Sequence, residues 1–459
     1  MFKYDFTKRP QGLLLSTLLL VAASATARAE LSDADVAKLG ATLTPLGAEV
    51  SGNAEGSIPA WTGGLNKPVP DYKPGGAYPN PYPDEKPLYT ITGENADQFA
   101  DTLSAGQLAM LRKFPDYKLK VYPSHRSAAF PQGHYDQTIA NAANAKLADN
   151  GNGVANTSGG IPFPIPENGQ EAIWNHLLRY RGNTLVTSWT SAAVLRNGSF
   201  NPTRNVLELD FYYGNLEKTS EERKPNRVFN FIQSFTSPPR LAGTTLLVYE
   251  PMDQVKERRT TWVYSPGQRR VRLAPEIGYD NPANSTDGLA TNDDFNMFNG
   301  AIDRYDWKLL GKREIHVPYN SYPIVSPELK HSDLVKPGHL NQDHARYELH
   351  RVWVVEATVK TGVRHVYAKR VFYIDEDSWA VLLTDRYDAR GELWRVGEAH
   401  SIVLYDIPLF YAVTEAHYDL HSGRYLVRGL YNEEKRIFQP VERTEADFTP
   451  ARLRDLGIR

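Results

Sequence analysis

From residue 183 to its end, this chain is a succession of short β-branched and aromatic runs broken by turn residues, a pattern that restricts the fold more than any other feature. Residues 228–233, 244–249 and 260–264 are rich in Val, Ile, Thr, Phe, Trp and Tyr and are bounded by Pro-Pro or Gly. Trp262, Val263 and Tyr264 lead through Ser265-Pro266-Gly267 into Arg269, Arg270, Val271 and Arg272, an order that predicts a hairpin. A second series covers 347–430, with turn signals at 360–362, 375–378, 389–391 and 421–423. Short connections of this kind join antiparallel neighbours. The expected fold class is therefore mainly β, a large curved antiparallel sheet that must close or be covered. Over 347–358, Leu349, Trp353 and Val355 fall on one face and Val352 and Val354 on the other. Over 364–374, Val366, Phe372 and Ile374 oppose Tyr367, Val371 and Tyr373. Neither face is plainly wet. A curved sheet with a helix or loops inside and the N-terminal segment outside accounts for this, and so does a dry core between two layers.

One helix stands before the strands. Three prolines in Ile161-Pro162-Phe163-Pro164-Ile165-Pro166 force an extended lead-in. Residues 171–180 then set Ile173, Leu177 and Tyr180 on one stripe with Trp174 and Leu178 beside it, and Gly182 is the expected cap. Upstream, 30–166 is rich in Gly, Pro, Ala and Asn. Ser32 and Asp35 read as a capping box for a short helix that Gly40 ends, and further helical patterns occupy 96–114 and 135–148, the second polar enough for the surface. The expected organisation is a leader over 1–29, an irregular and helical wrapping segment over 30–166, and an antiparallel β core over 167–459 with an insertion at about 280–341.

The leader is read from its order of regions. A basic start with Lys3, Lys8 and Arg9 precedes an apolar run over 13–23 and the small-x-small site Ala27-Arg28-Ala29. The apolar run is shorter than the roughly 20 residues that span a bilayer, so a secretory signal is expected, with a mature periplasmic protein beginning at Glu30. Without the leader the chain has 48 basic against 53 acidic side chains, which disfavours a nucleic-acid partner. It has no cysteine, which excludes disulfides, thiolate catalysis and Cys-ligated metal.

No Gly-x-Ser-x-Gly elbow, His-Glu-x-x-His helix, phosphate loop or Gly-x-Gly-x-x-Gly turn occurs. His339, His344 and His350 have spacings that align on no single helical face, and His417 and His421 flank a turn. Asp375, Glu376 and Asp377 resemble a calcium loop only loosely. Asp293-Asp294 is either a paired-carboxylate site or a solvated loop. Arg269, Arg270 and Arg272 read as the wet side of a hairpin or a small patch for an acidic partner or lipid headgroup. No catalytic residue, metal ligand or cofactor is assigned. Aromatic side chains are abundant, with 26 Tyr, 17 Phe and 8 Trp, a supply suited to large cores and to pockets for amphiphiles.

Several segments are distinctive together: Ile58-Pro59-Ala60-Trp61-Thr62-Gly63-Gly64, Tyr122-Pro123-Ser124-His125-Arg126, the Pro-rich lead-in at 161–166, Tyr264-Ser265-Pro266-Gly267-Gln268-Arg269-Arg270, Arg304-Tyr305-Asp306-Trp307-Lys308 and Tyr373-Ile374-Asp375-Glu376-Asp377-Ser378-Trp379. In these the chain resembles the bacterial domain-of-unknown-function family 1329, which is grouped with LolA/LolB-type periplasmic lipoprotein carriers. The resemblance implies an incomplete antiparallel β-barrel with an amphipathic helix on its concave face. It also implies a transport partnership with a resistance-nodulation-division type inner-membrane exporter and an outer-membrane partner. It supplies no catalytic residues.

The expected function is a periplasmic carrier for a lipid or other hydrophobic molecule. An acyl chain loses about 0.8 kcal/mol per methylene on exposure to water, so crossing an aqueous compartment requires shelter. Alternate strand residues Phe229, Phe231, Leu246, Val248, Trp262, Trp353 and Phe372 are the expected lining, with Trp174 and Leu178 of the helix as lid. Two rivals stand beside it. One is a hydrolase or isomerase using His350, Glu356 and His365, or Asp293 and Asp294, at a cavity mouth; the other is an envelope scaffold with a solid core.

Overall fold

The computed structural model describes residues 31–275, 278–434 and 437–457. The expected leader and its processing point at Glu30 lie outside the described residues. Among these residues the N-terminal part forms β1 (Tyr89–Ile91), β2 (Leu119–Val121), β3 (Lys146–Ala148) and β4 (Gly153–Ala155). Long strands follow: β5 (Thr184–Val194), β6 (Phe200–Phe211), β7 (Phe229–Ser237), β8 (Thr245–Glu250), β9 (Thr260–Ser265) and β10 (Arg270–Leu273). The rest are β11 (Tyr305–Pro318), β12 (Tyr347–Val359), β13 (Lys369–Asp375), β14 (Val381–Tyr387), β15 (Leu393–Leu404), β16 (Leu409–Asp419), β17 (Tyr425–Leu430) and β18 (Gln439–Pro440). The helices are α1 (Asp33–Val36), α2 (Ala105–Lys113), α3 (Gln132–Ala142), α4 (Gly169–Leu178), α5 (His331–Leu334) and α6 (Pro450–Gly457).

All strands but β3 and β4 belong to one sheet. From the β11 edge it runs through β12 to β17 in chain order, continues antiparallel onto β5, and then passes through β6 to β10. That β17 to β5 pairing joins the two strand series into one continuous sheet, and the sheet curls enough for β11 to approach β14 and β15. A parallel bridge from Val121 to Tyr347 adds the antiparallel β1–β2 pair and makes the sheet mixed. The end strands β10 and β11 are not neighbours in this order, so the barrel is incomplete. The stretch expected as an insertion supplies the edge strand β11, which pairs with β12 along its whole length.

Local chemistry explains the helix boundaries. The pattern over 96–114 is broken because Ser104 accepts from Gln107 N while Gln107 bonds back to Ser104 N, a capping box that starts α2 after a 3₁₀ stretch, Ala96–Thr102. The pattern over 135–148 forms α3 earlier and then β3, and α3 buries His134, Thr138 and Asn141 instead of lying fully on the surface. α4 is capped by Asn168 and stops at Arg179, before Gly182, because the Arg179 guanidinium bonds the His176 carbonyl and residue 179 turns extended. Asn175 clamps the Pro-rich lead-in, accepting from Phe163 N at 2.9 Å and donating to Phe163 O at 2.7 Å. Nine of its ten residues are buried, and full burial of an apolar side chain such as Ile173 stabilises by about 1.5–3 kcal/mol.

Both faces of the sheet are covered. On one, α4 packs on β11 and β12, and residues 279–303 form a lid over β13 to β17 and β5 to β9. On the other lie α2, reached by Asp385 through Gly106 N at 3.0 Å, and Tyr117, whose hydroxyl donates to Glu398 at 2.6 Å. Further along that face, α6 packs Phe448 and Leu453 against Ile232, Leu247 and Tyr264. The N-terminal segment is tied on by Arg126, paired with Asp377 at 2.6 Å.

Candidate functional site

Alternation along four neighbouring strands builds a cavity of about 350 Å³ beneath the lid. Its wall is Trp189 of β5, Leu207 and Leu209 of β6, Phe231 and Phe235 of β7, and Leu246 and Val248 of β8. Residues 283–286 and Phe295 roof it, and Leu273, the last residue of β10 and 62% exposed, stands at its mouth. The volume lies in the range of small-molecule sites, which are mostly apolar with a few placed polar groups. Polar groups are numerous at the rim and roof, among them Arg258, Thr260, Thr261, Asn284 and Asn292, and in the wall stand Gln233 bonded to Asn205 at 2.9 Å, Arg259 paired with Glu250 at 2.7 Å, and Arg428 of β17.

Arg428 is aimed by a β-bulge. The register with β5 jumps between Val427 and Leu430. Gly429 takes φ 79°, and a Cβ there would stand 1.8 Å from the Val413 carbonyl oxygen, so only glycine fits.

Of the nine residues expected to line a pocket, the cavity wall contains three, Phe231, Leu246 and Val248. Phe229 is buried beyond the inner end, between Phe211 and Phe231, with the Arg181 guanidinium 4.8 Å above its ring. Trp262 points to the opposite face, edge-on to Tyr249 near α6, because β9 pairs with β8 in a register that sets it across from Leu247. Trp353 stacks near Trp379, and Phe372 packs with Trp307 and Phe298 in a filled part of the core. Trp174 donates to Gly151 O at 2.8 Å and Leu178 is buried in that core; neither borders the cavity. Sequence reasoning missed Trp189, Leu207, Leu209, Phe235 and Arg428. The signals were present: Leu207, Leu209 and Phe211 alternate, and a glycine inside the strand-like run 425–430 marks a bulge.

Beside the cavity, the lid is held by buried charge. Arg370 donates to Asp293 at 2.8 and 3.0 Å and to Asp294 at 2.9 Å, and Arg386 lies 3.2 Å from Asp294. His365 meets Asp293 at 3.2 Å, and the Tyr367 hydroxyl donates to Asp294 at 2.9 Å. Burial alone would raise both carboxyls, but Arg370 and His365 hold Asp293 down to about 2, and Arg386 and Arg370 hold Asp294 well below the usual carboxylate range. Both stay ionised at neutral pH. The pair is a fixed ionic anchor and neither a solvated loop nor a proton donor.

The other singled-out groups are dispersed. His350 bonds Glu348 at 3.2 Å, His365 bonds Asp293 instead, and Glu356 lies 3.9 Å from Lys369. His339 bonds Leu340 O and Asp116, His417 lies between Arg386 and Glu415, and His421 is exposed. Glu376 is paired with Arg351 and Lys312, and Asp377 with Arg126. His350, Asp375 and Asp377 do bring ligand-type atoms within 4.8 Å of one another, although both oxygens of Asp377 are taken by the Arg126 guanidinium. Arg269, Arg270 and Arg272 are exposed on the β9–β10 hairpin. No helix among the described residues is long and apolar enough to cross a membrane.

Known proteins resemble this chain over most of its length. The family described as a protein of unknown function (DUF1329) matches residues 90–454. Uncharacterized protein PA3922 of Pseudomonas aeruginosa is 49% identical over 450 residues, covering 98% of this chain and 98% of that protein. Among solved structures, a DUF1329 family protein from Desulfovibrio piger is 16% identical, covering 59% of this chain and 91% of its own, with a TM-score of 0.39. A putative outer membrane lipoprotein-sorting protein domain from Vibrio parahaemolyticus is 15% identical, covering 62% of this chain and 98% of its own, with a TM-score of 0.43.

Proposed function

The chain belongs to the DUF1329 family, and from that premise we propose that it is a periplasmic carrier of a lipid or other hydrophobic molecule. The observation that carries this reading is the cavity of about 350 Å³, walled by apolar side chains from four strands and reaching the surface at Leu273. Burial of a guest's methylenes against the apolar strand residues there stabilises by about 0.8 kcal/mol each. The leader-like first 29 residues support a periplasmic address. The route of transfer runs between an inner-membrane exporter of the resistance-nodulation-division type and the outer membrane. Binding is preferred to catalysis because the paired carboxylates next to the cavity are fixed as ions by Arg370 and Arg386.

The test is native mass spectrometry and lipid extraction of the protein purified from its own periplasm. A co-purifying amphiphile is expected, and Leu207→Trp, which fills the wall, should expel it while the protein stays folded. Protein that emerges empty and takes up no apolar probe would overturn the reading.

A further inference from the structure

Around the cavity's inner end, the buried Arg179 and Arg181 and the mostly buried Arg428 have no carboxylate at hydrogen-bonding distance among the described residues. Arg179 bonds His176 Nδ1 and O and reaches the Asn296 amide oxygen at 3.4 Å. Arg181 donates to Leu177 O at 3.5 Å, its Nε has no partner, and its guanidinium lies over the rings of Phe211 and Phe229. Arg428 lies 3.8 Å from Glu415, and its buried Nη1 makes no hydrogen bond. The C-terminal carbonyls of α4 offset part of this charge, since a helix end is equivalent to about half a negative charge. Glu415 is shared with His417, 3.4 Å away, and the next carboxylate, Glu250, is taken by Arg259. Burial draws Arg179 down to about 9, with Arg181 adding to the shift, and draws Arg181 down to about 10 and Arg428 down as well. Excess buried charge of one sign is unfavourable unless something neutralises it. Of the three, Arg428 lines both the main cavity and the small adjoining one that contains Glu415 and Tyr411, so a guest in the cavity can reach it.

Resting on the carrier reading, we infer that the guest is an acidic amphiphile whose carboxylate or phosphate head seats on Arg428 and whose tail lies along Leu207, Phe231 and Val248. A guanidinium offers parallel N–H donors matched to such heads. Glu415 is then a competitor for Arg428 that the head displaces.

Matched ligands test this by calorimetry: dodecanoate, dodecyl phosphate, dodecanol and inorganic phosphate. Dodecanoate and dodecyl phosphate should bind at least tenfold more tightly than dodecanol, and their order tells a carboxylate from a phosphate head. Arg428→Gln should abolish the difference, and Glu415→Gln, which frees Arg428, should widen it. If dodecanol binds as well as both acids, the acidic head is refuted while the carrier reading stands. If inorganic phosphate equals dodecyl phosphate, the site takes an anion without a tail and the inference falls. If none of the chains binds, the carrier reading falls with it. Should Arg428→Gln fail to fold, an unchanged preference in Glu415→Gln refutes the inference by itself.

Discussion

The two halves of this sheet are covered by the same lid and built from similar strands, yet one is filled and the other hollow. In β13, β14 and β15 nearly every residue is buried on both faces. In β9 and β10 most positions are half-buried or exposed. The filled half spends its lid-side positions on Arg370, Arg386 and Arg395, whose long side chains reach up to carboxylates or carbonyls of the lid. The hollow half has Leu, Val and Phe at equivalent positions, too short to meet the lid across the gap. Long ionic side chains lock the roof at one end, and short apolar ones leave room under it at the other.

The largest expected effect breaks the locked half. Arg370→Ala should destabilise the protein by about 3–5 kcal/mol in urea unfolding, because it removes the bidentate partner of buried Asp293, leaving that carboxylate only His365, and one of the two guanidiniums on Asp294. Next, Leu383→Ala in the filled half should cost about 2–5 kcal/mol, and Leu246→Ala in the cavity wall distinctly less, since that side chain already lacks neighbours on one side. Equal losses in the two would erase the contrast. A pH effect also belongs to the filled half. Burial, with Asp377 nearby, pushes Asp375 up to about 7. Its folded form therefore binds a proton more tightly than the unfolded chain, favouring the fold at low pH and losing that contribution as pH rises from about 4 through 7. Asp375→Asn should flatten that part of the stability profile by on the order of 2 kcal/mol, read from chemical unfolding at pH 4, 5.5 and 7. The smallest effect is on the hollow side's edge, where Arg270→Ser on exposed β10 should change stability by no more than about 0.5 kcal/mol.

What the sequence revealed follows the range of the interactions. Strand periodicity, the β9–β10 hairpin and α4 were legible because each depends on neighbours a few residues away. The joining of β17 to β5 was not, since Tyr425 meets Val194 across more than half the chain. The lid's Gly/Asn-rich composition suggested a wet loop, and only Arg370 and Arg386, brought in from β13 and β14, turn Asp293 and Asp294 into an anchor. Period-two counting found cavity residues on β7 and β8. It failed at Trp262, Trp353 and Phe372, because alternation tells which residues share a face and is silent on which stretch of that face is hollow.

The lid's attachment is also uneven along its own length. From Leu289 onward it is mostly buried and pinned by the two aspartates, whereas most of 281–288, which includes the roof segment 283–286, is exposed. Displacing that outer stretch would break the exposed Asp287–Arg424 pair but leave the buried ties of Asp293 and Asp294 in place. Opening of the outer stretch is in this way separable from unfolding: the amide protons of Asn284 and Ser285 should trade with solvent sooner than that of Ala283, which bonds Ala290 O, and those of β13 and β14 only when the whole sheet comes apart.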